Sequence, residues 1–136
     1  MKTSNILFLF FIALSINISC SAQPDKNNVN TEVKTGDHVE VFYFHSSRRC
    51  ETCKAVEEVS KTSIAELYGE TVSFTGYNLD EPEAAKKAEE LEVSGQTLLI
   101  VSGDTKINIT NDGFLYARSN PEKLKQIIKG KIDPLI

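Results

Sequence analysis

The sequence is short of positive charge. Fifteen lysines and arginines stand against 19 aspartates and glutamates, a formal net charge of −4. A nucleic-acid-binding domain of this size shows a basic surplus or patch. The cations here are scattered among more numerous acids, which sets nucleic acid aside as a partner. Long apolar runs are also missing: the longest, Ile6 to Ile18, is roughly 13 residues against the ~20 needed to span a bilayer. There is no tryptophan, and the single methionine is Met1. The three cysteines are Cys20, Cys50 and Cys53, and the two histidines are His38 and His45. A zinc ribbon needs a second Cys or Cys/His pair, and none exists. Attached c-type haem needs a histidine directly after the second cysteine of its motif, where this chain has Lys54.

What the chain does have begins at the N-terminus. Residues 1–22 follow the three-part layout of a secretory signal peptide. Lys2 supplies the positive segment, Ile6 to Ile18 the apolar one, and Ser19, Cys20, Ser21 and Ala22 the small residues of a processing site. A membrane-spanning helix is disfavoured by the length of the run and by the lack of a stop-transfer pattern after it. Two processing sites compete. Ile18-Ser19-Cys20 resembles a bacterial lipobox, with Asn17 where leucine is preferred, and would make Cys20 the lipidated first residue of a lipoprotein. Cys20-Ser21-Ala22 would instead release a soluble protein from Gln23. Cys20 is an odd cysteine beside a paired motif, and lipidation accounts for it. The expectation is therefore an exported protein of the cell envelope or periplasm, touching membrane only through an N-terminal lipid anchor. Its acidic mature chain offers no electrostatic attraction to anionic lipid.

The 136 residues suffice for one domain and not for two. Residues 23–36 are polar and read as a flexible tether, leaving 37–136 as the domain. Val39 to His45 is β-branched and aromatic, the composition of a buried strand. From about Cys50 the pattern turns helical, with Val56, Val59, Ser63 and Leu67 inward and Lys54, Glu57, Glu58, Lys61 and Glu66 around the remainder, until Gly69. Thr71 to Leu79 reads as a second strand. Asp80 and Pro82 then open a helix, cap first and proline in the first turn, with Ala84, Ala85, Ala88 and Leu91 as its apolar side. Gln96 to Ser102 is a continuous apolar run and hence a buried strand. Gly103-Asp104 turns the chain into the alternating strand Thr105 to Thr110. A short helix over Asn111 to Arg118 and a last helix from Asn120-Pro121 follow, with Leu124, Ile127, Ile128 and Ile132 inward. The order β-α-β-α-β-β-α asks for parallel strands joined by helices and then an antiparallel hairpin backed by a helix. This is an α/β domain of thioredoxin-like class, a central mixed sheet of about four strands flanked by helices.

Cys50-Glu51-Thr52-Cys53 lies at the mouth of the first helix, and that placement matters more than the spacing. Unsatisfied N–H groups and a partial positive charge at a helix start stabilise a thiolate. Such sites bring a thiol from ~8.5 to ~7 or below. Cys50 is thus assigned as the nucleophile and Cys53, one turn further in, as the resolving thiol. Arg48 and Arg49 either favour the Cys50 thiolate or are simply solvated loop residues, and Glu51 opposes the thiolate. A purely structural staple remains open, although a bridge across four residues closes a very small loop. His45, five residues before Cys50, is positioned either to take a thiol proton or merely to end its strand. The expected function is an envelope thiol–disulfide oxidoreductase or electron relay acting on protein thiols and disulfides or on a membrane redox partner. It needs no cofactor beyond the redox-active pair. The alternative is a non-catalytic module holding a soft ion such as arsenite or Cu(I) on Cys50 and Cys53, with His45 as a third ligand.

The run FYFHSSRRCETCKAVEE resembles the ArsF-type thioredoxin-like lipoproteins of Bacteroidetes. The resemblance is carried by Tyr43, Phe44, His45, Arg49, Cys50, Thr52 and Cys53, and by YARSNPEKLKQI from Tyr116 to Ile127. It spans about residues 38–135 and implies a thioredoxin fold and a thiol redox role, without naming a substrate. Compared with ordinary thioredoxins, Phe42, Tyr43 and Phe44 supply no buried acid in the first strand. Arg49 replaces the tryptophan before the pair, Glu51-Thr52 replaces Gly-Pro, and Gly95-Gln96-Thr97 lacks the proline that precedes the third strand. In thioredoxins that loop receives the substrate backbone; without the proline, the auxiliary residues Gln96 and Thr97 leave the space facing the cysteines unblocked, which keeps soft-ion binding open.

Overall fold

A computed structural model describes residues 38–136. The expected signal peptide of residues 1–22, Cys20 and the expected tether of residues 23–36 lie outside the described residues. Strand β1 (Val39–His45) occupies the middle of the sheet, and its aromatic and β-branched residues are what that position requires: Val41 to Phe44 are all buried. Helix α1 (Glu51–Tyr68) returns the chain to β2 (Val72–Asn78), which pairs parallel to β1. Gly69 ends α1 at φ 57°, its N–H bonded to the Ala65 carbonyl, a left-handed stop that glycine adopts without strain. After α2 (Pro82–Glu90), strand β3 (Thr97–Ser102) runs antiparallel to β1 on its other side. A two-residue turn at Gly103 and Asp104 then leads into β4 (Thr105–Asn108), with Gly103 at φ 53°. Helices α3 (Thr110–Tyr116) and α4 (Pro121–Ile132) follow, and a 3₁₀ turn over Asp133–Leu135 closes the chain. The four-stranded sheet has the order β2-β1-β3-β4.

Alternation along β1 and β3 divides the interior into two cores. Val39, Val41, Tyr43, Leu98 and Ile100 face Val56 and Ile64 of α1 and Leu124, Ile128 and Ile132 of α4. Phe42, Phe44, Leu99 and Val101 face Ala88 of α2 and Leu91 just beyond it. One helix thus covers one face and three cover the other. Because Tyr43 pairs with both Gly76 and Leu98, the row Gly76–Tyr43–Leu98 crosses the sheet on the α1 side. The first turns of α1 lie over this row: a methyl placed on Gly76 would meet Glu57, and one placed on Gly113 of α3 would meet Val56 and Leu98.

Several details depart from the sequence pattern, among them Ala85 of α2, which is exposed. The buried stripe of α1 is Cys53, Val56, Ser60, Ser63 and Ile64, while Val59 and Leu67 are only half-buried. The cap of α2 is Glu81 without a side-chain cap bond, because the Asp80 carboxylate is turned to the loop after β1. Strand β4 stops at Asn108 and not at Thr110. The Thr110 hydroxyl accepts the Leu98 N–H at 2.9 Å and donates to Asn108 Oδ1 at 2.6 Å, so this residue starts α3. Its alternating side chains suit a strand, but its hydroxyl satisfies backbone and neighbour locally, as threonine does at helix starts.

Candidate active site

Cys50 is the N-cap of α1, with extended backbone at φ −77° and ψ 163°. Its sulfur accepts the Cys53 N–H at 3.1 Å, and its carbonyl accepts the first helical bond from Lys54 N–H at 3.1 Å. A sulfur in the capping position receives both an orphan donor and the positive end of the helix dipole. The two cysteines are joined as a disulfide, with Cα atoms 5.1 Å apart. Their exposures differ: Cys50 faces solvent, while Cys53 is 4% exposed. A partner therefore meets Cys50 first.

The charges flanking the pair are arranged in couples. Glu51 accepts from Lys54 Nζ at 3.0 Å, both on the exposed side of the first turn. That bond and the Lys54 charge, with a smaller contribution from Arg118, hold the Glu51 carboxyl below its usual range, so a negative charge does stand beside Cys50. Thr52 is half-buried in the same turn, and Arg48 is exposed. Arg49 turns inward and forms an ion pair with Glu57 of α1; the side chains are 22% and 27% exposed. The other Glu57 oxygen occupies the space over Gly76, where a Cβ would lie 2.6 Å from it. Tyr43 is fully buried on the same face, its ring 5.8 Å from that of His45. Burial raises the Tyr43 pKa, with Arg49 opposing and Glu57 adding to the rise. Tyr43 Oη and Arg49 Nε are buried without a hydrogen-bond partner among the described residues.

Helical periodicity assigns Glu57 to the solvated side of α1, and there it escapes notice. Two signals in the sequence point to it: Glu57 is four residues after Cys53, on the same helix face, and a glycine interrupts the otherwise β-prone second strand at position 76. His45 is half-buried, with Nδ1 3.1 Å from the Ser46 carbonyl, so that nitrogen is the donor. Among the described residues no three His, Cys, Asp or Glu side chains are grouped to hold a metal ion, the combination of His45 with Cys50 and Cys53 included. Thr97 starts β3 opposite Phe44 and is buried, its hydroxyl donating to the Gly95 carbonyl at 3.1 Å, and Gln96 precedes it half-buried.

The loop between β1 and α1 is held from the side by β2 and the turn after it. Asp80 Oδ2 accepts the Ser47 N–H at 2.7 Å, and Asn78 Nδ2 donates to Ser47 Oγ at 3.0 Å. Hydrogen bonding from Ser47, aided by the charge of His45, holds the Asp80 carboxyl below its usual value. Because the folded-state value is the lower one, the anchor is complete above the ordinary aspartate range and is lost as pH falls through the depressed value. We expect Asp80→Ala to lower the hydrogen-exchange protection of the Ser47 amide about threefold to fivefold near neutrality, the scale of an exposed charged contact. The same protection in the wild-type chain should fall on acidification, and in the variant it should not. Equal protection in both chains at neutral pH would show that Asp80 does not hold the loop.

Among solved structures the chain is similar to thioredoxin O2 from Arabidopsis thaliana in its oxidised state. The two share 23% identity over 70% of this chain and 76% of that one, with a TM-score of 0.51. It is also similar to Trxlp from Edwardsiella tarda EIB202, at 18% identity over 69% of this chain and 84% of that one, with a TM-score of 0.49. No protein-family model and no curated protein matches the sequence.

Proposed function

We propose that this chain, whose fold is thioredoxin-like, is a thiol–disulfide oxidoreductase or electron relay of the cell envelope. The observation that carries this is the asymmetry of the pair: an exposed Cys50 whose sulfur caps the helix and a buried Cys53 one turn inside. In the reduced protein the Cys50 thiolate attacks one sulfur of a partner disulfide. That disulfide breaks, a Cys50–partner disulfide forms, and the departing partner thiolate takes a proton from solvent. Cys53, deprotonated, then attacks the Cys50 sulfur, and the second partner thiolate leaves. The Cys50–Cys53 disulfide forms, and two electrons have passed to the partner. A more reducing dithiol reverses the sequence. Protein thiols and disulfides or a membrane redox partner are the substrates proposed, and the redox-active pair serves without a further cofactor.

The ArsF-type assignment belongs to the same proposal and is supported by Tyr43, His45, Arg49 and Thr52 around the cysteines. Export and a lipid anchor at Cys20 are supported by Lys2, the apolar run Ile6 to Ile18 and the odd cysteine that follows it. Among the described residues no helix is long and apolar enough to cross a membrane. The test is a titration of the purified protein against reduced and oxidised glutathione with thiol trapping, run beside titrations of the reduced protein with arsenite and Cu(I). A reversible two-electron couple confined to Cys50 and Cys53 is the result expected. Stoichiometric capture of either ion by a dithiol that does not exchange with glutathione would replace this function with soft-ion binding.

A further inference from the structure

Arg49 directly precedes the nucleophile, yet its guanidinium is drawn inward to Glu57. An arginine left free at this place would add its full charge to that of the helix start beside Cys50. Glu57 is held where it can prevent this: it stands one turn beyond Cys53 on α1, and the missing Cβ of Gly76 leaves room for its carboxylate. The pair is largely shielded from solvent, so salt screens it less than a surface couple. The other charges of the loop and of the first turn of α1 are matched by neighbours or exposed. Glu51 is bonded to Lys54 and felt by Arg118, Asp80 is felt by His45, and Arg48 is solvated. Tyr43, beneath the cluster, is a neutral phenol whose pKa burial raises further. Arg49 and Glu57 are thus the two charges whose balance at the pair is set by an interaction inside the fold.

We propose that the Arg49–Glu57 ion pair sets the redox poise of the Cys50–Cys53 couple, with Glu57 as a positioning residue that draws the Arg49 charge away from the Cys50 sulfur. This rests on the thiol–disulfide function proposed above. Reduction of the disulfide by a donor dithiol takes up two electrons and leaves a thiolate at Cys50. Whatever stabilises that thiolate makes the couple more oxidising. Glu57 therefore keeps the couple more reducing than a bare helix start with a free arginine.

The two partners must act in opposite directions, and that separates this role from a structural one. Glu57→Gln frees Arg49. The expected result is a shift of about tenfold in the equilibrium with glutathione toward the reduced protein, equal to about 30 mV for a two-electron couple. Iodoacetamide should also modify Cys50 at lower pH than in the wild-type chain. Arg49→Gln leaves the Glu57 carboxylate uncompensated and should shift both readouts the other way, with the double variant between them. Gly76→Ala changes no charge. Its methyl would crowd the far end of the flexible Glu57 side chain at 2.6 Å and reach ordinary contact with His45 Nε2 at 4.0 Å, so the fold is retained while the carboxylate is displaced. It should move in the direction of Glu57→Gln. Shifts of the same sign in Glu57→Gln and Arg49→Gln, or an unchanged alkylation profile in both, would overturn the poise assignment while leaving the redox function standing. A wild-type chain without any reversible couple would remove the function itself.

Discussion

Cys50→Ser is expected to abolish disulfide exchange outright, whereas Cys53→Ser should leave a protein that reacts once and stalls. The difference follows from where the two sulfurs lie. Cys50 is exposed and capped by the Cys53 N–H, so it keeps its nucleophile when Cys53 is gone. Offered oxidised glutathione, Cys53→Ser should accumulate one glutathione per chain as a stable mixed disulfide, because nothing remains to resolve it. Within the pair, Cys50→Ser keeps only Cys53, which is 4% exposed and has lost the capping sulfur, and labelling at Cys53 should stay at the level of an unreactive buried cysteine. Stability separates chemistry from structure. Chain entropy assigns a bridge across four residues about 2 kcal/mol, and that contribution is absent from the reduced wild-type protein as well. Both variants should therefore match the reduced wild type in urea midpoint while losing turnover. A Cys50→Ser chain that still turns over would dismiss the pair as a redox centre. A Cys53→Ser chain that collects no adduct would reverse or remove the assignment of roles.

The part of this site that could be read from the residues is the part written in local pattern. A strand of β-branched and aromatic residues followed by a turn and an amphipathic run places CxxC at a helix start, and the structure puts the Cys50 sulfur in the capping position. The element order and the proline at the first position of α2 and of α4 were equally local. Interactions between segments distant in sequence were not legible. Asp80 looks like a cap because it precedes Glu81-Pro82, but its carboxylate is used 33 residues back, at Ser47. Glu57 looks like one more solvated acid, because periodicity records faces and not which residue approaches a face from another segment. Its partner Arg49 and its place over Gly76 depend on the parallel pairing of β1 with β2, which brings Gly76 beside Tyr43. Phe42, Tyr43 and Phe44 of the first strand include no acid. That a carboxylate reaches the Tyr43 face from α1 is hinted at by Gly76 and by the spacing of Glu57 from Cys53, but its pairing with Arg49 is set in three dimensions.

Leu98→Ala should be among the most destabilising single changes in the domain, and it should invert the effect of a second substitution. Leu98 is fully buried at the end of the Gly76–Tyr43–Leu98 row, and α3 comes down on it at Gly113. Truncating such a leucine costs about 2–5 kcal/mol, through lost transfer energy and an incompletely collapsed cavity. That is a large fraction of the roughly 5–15 kcal/mol available to a domain of this kind. Gly113→Ala pulls in two directions by itself. A helical alanine gains about 1 kcal/mol over glycine, but its Cβ would stand 3.2 Å from Val56 Cγ1 and 3.3 Å from Leu98 Cδ2, contacts tight enough to push the neighbours. Overpacking of this sort costs about 1–3 kcal/mol, so Gly113→Ala alone should be neutral to mildly destabilising. In the Leu98→Ala background one of the two obstructing atoms is gone, and the new methyl enters the space it vacates. The same glycine substitution should then stabilise, with a coupling of at least about 1 kcal/mol in a double-mutant cycle on urea midpoints. Additive effects would mean that α3 is not seated on Leu98 and that Gly113 is not required by close approach. Val56 lies one turn after Cys53 on α1, so this contact also fixes the height of α1 over the sheet at the turn that carries the cysteines. Accordingly, Gly113→Leu, which no relaxation of Leu98 alone can admit, should lift α3 from α1 and impair folding and exchange together.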